Sequence, residues 1–213
     1  MDPGLTNLLK WGVENSSATA ADPSAAPHTS RSINADALNS LLGGPSDAEL
    51  MRLSMVAITS NDDDVPLADK LVAFDNFEQL IENLDNANNL GPLGLWTPLL
   101  GCLAHPSPDI RTMAAWCVGT AVQNNETSQE RLLAMNGIPL LARMAVGPEQ
   151  DAKVRRKAVY ALSSACRNYQ PAMDELTAEL GRLGRPTEKV DSSNMNACDV
   201  LIGGLREVAA EDA

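Results

Sequence analysis

Aromatic side chains are scarce in this chain of 213 residues, which contains two phenylalanines, three tryptophans and two tyrosines. Aromatic residues make up only 3% of the sequence although 44% of it is hydrophobic, so alanine and leucine must supply most of the packing. Such side chains suit closely stacked helices better than a β-sandwich or a β-barrel. The composition therefore favours an all-α protein.

The chain also lacks an excess of positive charge, since 16 basic residues face 28 acidic ones and the net charge is −12. This balance argues against nucleic acid or an anionic membrane as the main partner. The charge is uneven: it is −12 over residues 1–151, +4 over 152–189 and −4 over 190–213. The basic stretch could orient a partner, although a charge run is more often a solvated helix face.

Long apolar runs are missing too: none approaches the roughly 18 residues that cross a bilayer, and no signal peptide is visible. The four cysteines are far apart and show no CxxC or Cys/His spacing, so reduced core thiols are the expected state. They are Cys102, Cys117, Cys166 and Cys198. We expect a soluble, cytoplasmic monomer that binds neither membrane nor nucleic acid.

Patterns that carry chemistry are weak throughout the chain. His28 and His105 have no paired nucleophile, and the glycine-rich LLGGP lacks the lysine of a phosphate-binding loop. The acidic run 62–64 lacks the spacing of an EF-hand and is more simply an exposed turn. We therefore expect no enzymatic activity, no metal and no cofactor.

The chain does repeat itself. Residues 110–124 (IRTMAAWCVGTAVQN) align with 154–168 (VRRKAVYALSSACRN) at an offset of 44, and 98–100 (PLL) align with 139–141 (PLL) at an offset of 41. A period of about 40–47 residues built from helical patterns is typical of armadillo and HEAT solenoids. We predict an all-α, shortened armadillo-like helical solenoid with a flexible N-terminal segment, whose stacked helices present a concave wall to a partner.

Composition divides the chain into four segments. Residues 1–17 contain a short apolar cluster, and 18–37 are rich in Ser, Ala, Thr and Pro and predict a flexible linker. Residues 38–183 form the predicted armadillo-like domain, and 184–213 form a connector with a closing helix.

Apolar residues recurring every three or four positions predict the individual helices. One long helix begins near Asp69 and is expected to end between Asn86 and Gly91; Trp96 and Trp116 lie on apolar faces and are expected in the core. The other predicted helices cover 49–58, 109–124, 153–168, 173–183 and 197–210, with shorter ones around Pro98 and Pro139.

The third helix of an armadillo unit often reads A-x-x-A-L-x-N-L, and residues 158–165 (AVYALSSA) resemble it. Ser164 takes the asparagine position, and Thr120 takes it in the preceding unit. Armadillo proteins such as importins grip extended peptides with a ladder of these asparagines. Their loss disfavours the rival function, an adaptor that binds an extended peptide on the concave face.

Three motifs together are specific: residues 70–90 (KLVAFDNFEQLIENLDNANNL), 119–125 (GTAVQNN) and 8–17 (LLKWGVENSS). They resemble the fungal nucleotide exchange factors of the Fes and HspBP family, and the resemblance covers roughly residues 1–180. It implies a co-chaperone whose body embraces a lobe of the nucleotide-binding domain of heat-shock protein 70 and favours a form that holds ADP poorly. The partner implied is therefore this cytosolic chaperone.

The same resemblance suggests two groups of chaperone contacts on the armadillo body. The first is Asn86, Ala87, Asn88 and Asn89, where the small Ala87 would let a partner approach; alternatively these residues only cap a helix and turn the chain. The second is Arg111, Arg155, Arg156 and Lys157. Arg111 and Arg155 occupy one repeat position, and a repeated arginine could serve the stacking of units as well as a partner.

The N-terminal residues Leu8, Leu9, Lys10 and Trp11 resemble the release element of the family. The resemblance implies that this leucine-rich stretch beside a positive charge mimics a client and competes for the peptide-binding domain of the chaperone. The alternative is a frayed helix that docks back on the body.

Overall fold

The computed structural model describes residues 45–61 and 63–210, and this part of the chain contains ten α-helices and no strand. The all-α prediction is therefore confirmed. The helices are α1 (Asp47–Thr59), α2 (Leu67–Ile81), α3 (Leu84–Asn89), α4 (Trp96–Gly101, continued by a 3₁₀ turn at Cys102–Ala104), α5 (Pro108–Val122), α6 (Glu126–Ala134), α7 (Gly137–Val146), α8 (Ala152–Cys166), α9 (Gln170–Arg182) and α10 (Met195–Ala210).

The segments predicted at 1–17 and 18–37, the beginning of the predicted armadillo domain, and the candidate residues Leu8 to Trp11 lie outside the described residues. Residues 47–213 make up one compact unit, and its described part, 47–210, is the body discussed below.

The sequence repeat corresponds to a structural repeat. Helix α5 spans Pro108–Val122 and α8 spans Ala152–Cys166, so both ends are displaced by 44 residues; α4 and α7 begin 41 residues apart, at Trp96 and Gly137. The second unit is therefore three residues longer than the first between its two helices, in the loop between α7 and α8. The repeated helices confirm the armadillo-like solenoid.

Two asparagines end the corresponding helices of successive units. Asn124 follows α5 with a φ of 52°, and Asn168 follows α8 with a φ of 57°. Asparagine is one of the few residues that adopts this left-handed conformation readily, so it allows the chain to reverse direction after each helix. This backbone requirement explains why the sequence repeat includes an asparagine at its last position.

The longest helices form a ladder in which α2 packs on α5, α5 on α8, and α8 on α10. The core between them is aliphatic and alanine-rich, with Phe74 and Phe77 of α2 and Trp96 of α4 as its buried aromatic residues. All four cysteines are buried and unpaired, as the sequence predicts. Among the described residues no helix is long and apolar enough to span a membrane.

The structure corrects one predicted helix and adds a helix that the sequence analysis does not predict. The helix from Asp69 does not continue to Asn86: α2 ends at Ile81, and Asn83 starts the separate helix α3 by accepting hydrogen bonds from the backbone N–H groups of Asp85 and Asn86. Helix α6 was not predicted, because its sequence is mostly polar; Asn125 caps it by accepting from the Ser128 N–H.

Candidate functional site

The first candidate group is split between the interior and the surface. Asn86 is buried, and its Nδ2 donates to Asp47 Oδ2 at 2.8 Å and to the Leu80 carbonyl at 3.0 Å. Ala87 is only 3% exposed and belongs to the core. The expectation that Ala87 leaves room for a partner is therefore corrected: its methyl group is already enclosed by the protein's own side chains.

The other two asparagines of this motif face outward. Asn89 is exposed, whereas Asn88 is half-buried and borders a groove of about 600 Å³ between α3 and α6. The Oδ1 atom of Asn88 is buried and has no hydrogen-bond partner among the residues described. Arg131 and Thr127 of α6 also line this groove. The motif forms the separate helix α3 (Leu84–Asn89) and does not cap the helix before it, while Asn86 and Ala87 have the structural roles described above.

The two arginines of the second candidate group that share a repeat position make internal hydrogen bonds. Arg111 donates from Nη1 to the carbonyls of His105 (2.7 Å) and Pro106 (2.8 Å), and from Nε to Gln150 Oε1 at 3.0 Å. Arg155 is buried and donates from Nη1 to the Gln150 carbonyl at 2.7 Å and from Nε to the Ala209 carbonyl at 3.4 Å.

The two arginines therefore perform the same task in successive units. Each fixes the loop before its own helix and reaches into the following unit, Arg111 to the loop before α8 and Arg155 to the end of α10. Of the two roles that the sequence leaves open, the structure supports stacking of the units. Buried Arg155 is not available to a partner.

A different set of side chains links three helices of the ladder along one face, with Glu78 buried beneath it. We call it the α2–α5–α8 face, and its residues are Glu78, Trp116, Thr120, Gln123, Lys157 and Tyr160. The first link is a hydrogen bond of 2.6 Å from the Thr120 hydroxyl to Glu78 Oε1, which joins α5 to α2. Since Glu78 is buried, its carboxylate is fixed in place by this contact.

The second link is a cation–π contact between α8 and α5. The Lys157 ammonium lies 3.9 Å from the centre of the Trp116 ring and 5.5 Å from that of the Tyr160 ring. Burial lowers the pKa of Lys157, while the nearby carboxylate of Glu78 opposes that shift. An ammonium held over aromatic rings at the edge of the core is partly stripped of water, and the electron-rich ring faces attract its charge.

The third link fixes the Tyr160 ring. Its hydroxyl donates to Gln123 Oε1 at 3.2 Å, again between α8 and α5. The ring lies directly over Gly119: a Cβ on this glycine would come within 2.5 Å of Tyr160 Cε1 and 3.1 Å of the Ala161 Cα. Gly119 is therefore required for the close approach of the two helices.

The sequence predicts only Lys157 of this face as a candidate contact, and it places Trp116 in the core. In the structure Trp116 is half-buried and its ring lies beneath the Lys157 ammonium, whereas Trp96 is buried as predicted. A signal was present: Trp116 and Tyr160 lie 44 residues apart, so one repeat position carries an aromatic residue in both units. An aromatic residue repeated at a position that faces away from the core indicates a surface role.

The face offers a cation, two aromatic rings and one amide, which are groups that bind a protein surface. No cluster of three or more potential metal ligands occurs within residues 45–61 and 63–210. Thr120, which stands where peptide-binding armadillo proteins carry an asparagine, is engaged with Glu78 inside the protein. The arrangement therefore suits recognition of a folded partner.

Comparison with known proteins identifies the family. The family model "Nucleotide exchange factor Fes1" matches residues 5–90, and a HEAT repeat model matches 95–124. An Hsp70 nucleotide exchange factor FES1 from Gibberella zeae is 58% identical over 207 residues, which cover 97% of each chain. The chain belongs to the Fes1 family of nucleotide exchange factors.

Other members of the Fes1 family differ in length. The Hsp70 nucleotide exchange factor FES1 of Coccidioides immitis is 48% identical. The match covers 99% of this chain and the whole of that relative. That of Yarrowia lipolytica is 41% identical over 168 residues, which make up 79% of this chain but only 56% of the relative. This chain thus spans nearly the full length of the Gibberella zeae and Coccidioides immitis proteins and just over half of the Yarrowia lipolytica protein.

Proposed function

We propose that this chain is a co-chaperone of cytosolic Hsp70 that accelerates the release of ADP and thereby of the bound client. The observation that carries the proposal is the 58% identity to the Gibberella zeae protein over 97% of both chains. The match covers nearly the whole of both chains, so almost every part of that relative has a counterpart here.

The mechanism that we propose needs no catalytic residue on this chain. If the body binds the open form of the nucleotide-binding domain better than the closed form, binding shifts the population toward the open form. Linkage then requires that ADP and the co-chaperone weaken each other's binding by one factor, typically about 5–150-fold. ATP completes the cycle when it refills the site and displaces the co-chaperone.

We assign the contact with the nucleotide-binding domain to two surfaces of the body. The α2–α5–α8 face is one, because its polar and aromatic groups are held in place by contacts between helices. The edge of α3 with Asn88 and Asn89 is the other, because Asn89 is exposed and the half-buried Asn88 borders the groove between α3 and α6. Asn86, Ala87, Arg111 and Arg155 then support the contact from inside the fold.

The N-terminal residues Leu8, Leu9, Lys10 and Trp11 act in this proposal on the peptide-binding domain of Hsp70. They lie within the part matched by the family model. A leucine-rich stretch beside a lysine resembles a chaperone client and would compete with bound polypeptide. In this proposal the protein is a cytoplasmic monomer that binds one chaperone molecule.

The engaged state of Thr120 argues against the rival function of a peptide-binding adaptor. Its hydroxyl already donates to the buried Glu78 carboxylate, so it does not stand ready to hold a peptide backbone. Gripping an extended peptide requires a row of free side-chain amides. A folded domain needs only a preformed complementary surface.

Calorimetric titration tests the linkage on which the proposal depends. The full chain is titrated into purified cytosolic Hsp70 without nucleotide and again with saturating ADP. We expect ADP to weaken binding by at least about fivefold. Equal affinity in the two titrations would contradict the proposed function, because a partner that does not distinguish the two states cannot drive exchange.

A further inference from the structure

Lys157 stands out on the α2–α5–α8 face because it is the only cation among the six residues that define it. Its ammonium has a defined position, 3.9 Å above the Trp116 ring and 5.5 Å from the Tyr160 ring. A lysine side chain normally samples many rotamers, and ordering it on binding costs entropy. Here the aromatic rings already order the Lys157 side chain, so less entropy is lost when a partner binds.

The Lys157 ammonium has a defined position, but no ion pair within the described residues neutralises its charge. Within the described part of the chain, Lys157 forms no ion pair and no hydrogen bond to a carboxylate. The carboxylate that contributes to its pKa, Glu78, is buried and accepts the 2.6 Å hydrogen bond from Thr120. A half-buried ammonium with unused N–H donors is a strong site for a charged acceptor, because water competes weakly there.

The charge around Lys157 favours an acidic partner group. Lys157 lies in the stretch 152–189, which carries 8 basic and 4 acidic residues, whereas residues 1–151 carry 7 basic and 19 acidic residues. An acidic patch on a partner is therefore repelled by most of the chain and attracted to this stretch. Such a pattern orients an approaching partner and selects one docking position.

We propose that Lys157 pairs with a carboxylate on the folded domain bound by the α2–α5–α8 face, with Trp116 and Tyr160 as its positioning residues. The inference rests on the proposed function, which supplies Hsp70 as the partner, and adds the chemistry that this partner must present. A carboxylate fits better than a backbone carbonyl, because an ion pair between partly desolvated groups strengthens both binding and orientation.

The test measures the affinity of the full chain for purified, nucleotide-free cytosolic Hsp70 at several salt concentrations. Lys157→Met removes the charge and keeps the length of the side chain, so we expect binding to weaken by about tenfold or more, with a shallower salt dependence. Lys157→Arg keeps a cation that stacks on aromatic rings, so its affinity should stay within about threefold of wild type. Circular dichroism establishes that both variants are folded.

Lys189→Met is the matched control, since Lys189 is 79% exposed and lies in the loop between α9 and α10, away from the face. We expect wild-type affinity for it. If Lys157→Met binds with wild-type affinity and salt dependence, the inference is overturned and the proposed function stays intact. The same holds if Lys157→Arg loses as much affinity as Lys157→Met. A wild-type chain that does not bind Hsp70 at all would overturn both.

Discussion

The side-chain amide of Asn86 donates a hydrogen bond of 2.8 Å to the carboxylate of Asp47, and this contact ties α3 to the first turn of α1. The asparagines of the DNANN motif therefore have different tasks. Asn86 is buried and holds the fold together, whereas Asn89, three residues further along the same short helix, is exposed. Substitutions in this motif should separate stability from binding.

The first prediction concerns this separation. Asn86→Ala removes the hydrogen bonds to Asp47 and to the Leu80 carbonyl, and we expect the free energy of unfolding to fall by about 1–3 kcal/mol in urea titrations. Asn89→Ala is the control for stability and should change it by less than about 0.5 kcal/mol, while weakening Hsp70 binding. Equal stability of Asn86→Ala and wild type would show that the Asp47 contact contributes nothing.

Gly119 provides a test of the packing between α5 and α8. A methyl group at this position would lie 2.5 Å from Tyr160 Cε1 and 3.1 Å from the Ala161 backbone, so Gly119→Ala should lower the free energy of unfolding by about 1–3 kcal/mol despite the better helix propensity of alanine. The control is Gly181→Ala in α9, where nothing lies within 4 Å of the added methyl group. That variant should be as stable as wild type or up to about 1 kcal/mol more stable. If both substitutions behave alike in urea titrations, the close approach of the helices is not important.

Glu179 should make stability depend on pH. Its buried carboxylate accepts from Arg182 at 2.7 Å and from Arg143 at 2.9 Å, and the hydrogen bond from Arg182 is the main cause of a pKa below the ordinary value of 4.5. A lowered pKa in the folded state stabilises the fold above pH 4.5, and this contribution is lost as the pH falls through the folded pKa. Thermal unfolding from pH 7 to pH 3 should therefore show a smaller decline in Glu179→Gln than in wild type. Parallel curves would contradict the assignment.

The N-terminal element should affect client release without affecting nucleotide exchange. Replacing Leu8, Leu9 and Trp11 together with serine removes the apolar side chains that mimic a client. We expect release of a fluorescent peptide from Hsp70 to slow, while release of ADP continues at the wild-type rate. Loss of ADP release in this variant would contradict the division of labour between the N-terminal element and the body.

The fold was largely predictable because its periodic signal arises from buried positions. Helices α5 and α8 align at an offset of 44 since each buries the same face, and Asn124 and Asn168 align because both adopt the left-handed conformation. Helix α6 was missed because only one side of a short polar helix is buried. Its buried Gln129 donates to the carbonyls of Ser164 and Arg167 across the chain, a contact that no local pattern encodes.

The candidate site was less predictable, because it depends on contacts between units. The sequence shows Ala87 as a small residue in a specific motif, but only packing shows that it is enclosed. It likewise shows Trp116 on an apolar helix, but not that Lys157 of the next unit covers its ring. The sequence pattern therefore identified the family and its motifs, while the roles of individual residues required the three-dimensional arrangement.

The most direct test of the central claim follows dissociation of a fluorescent ADP analogue from cytosolic Hsp70 by stopped flow, with excess unlabelled nucleotide and increasing concentrations of the full chain. The account predicts that the dissociation rate rises with concentration and saturates, and that Lys157→Met requires more protein to reach half of the maximal rate while Lys189→Met matches wild type. A dissociation rate that stays unchanged at every concentration of the wild-type chain would contradict the account.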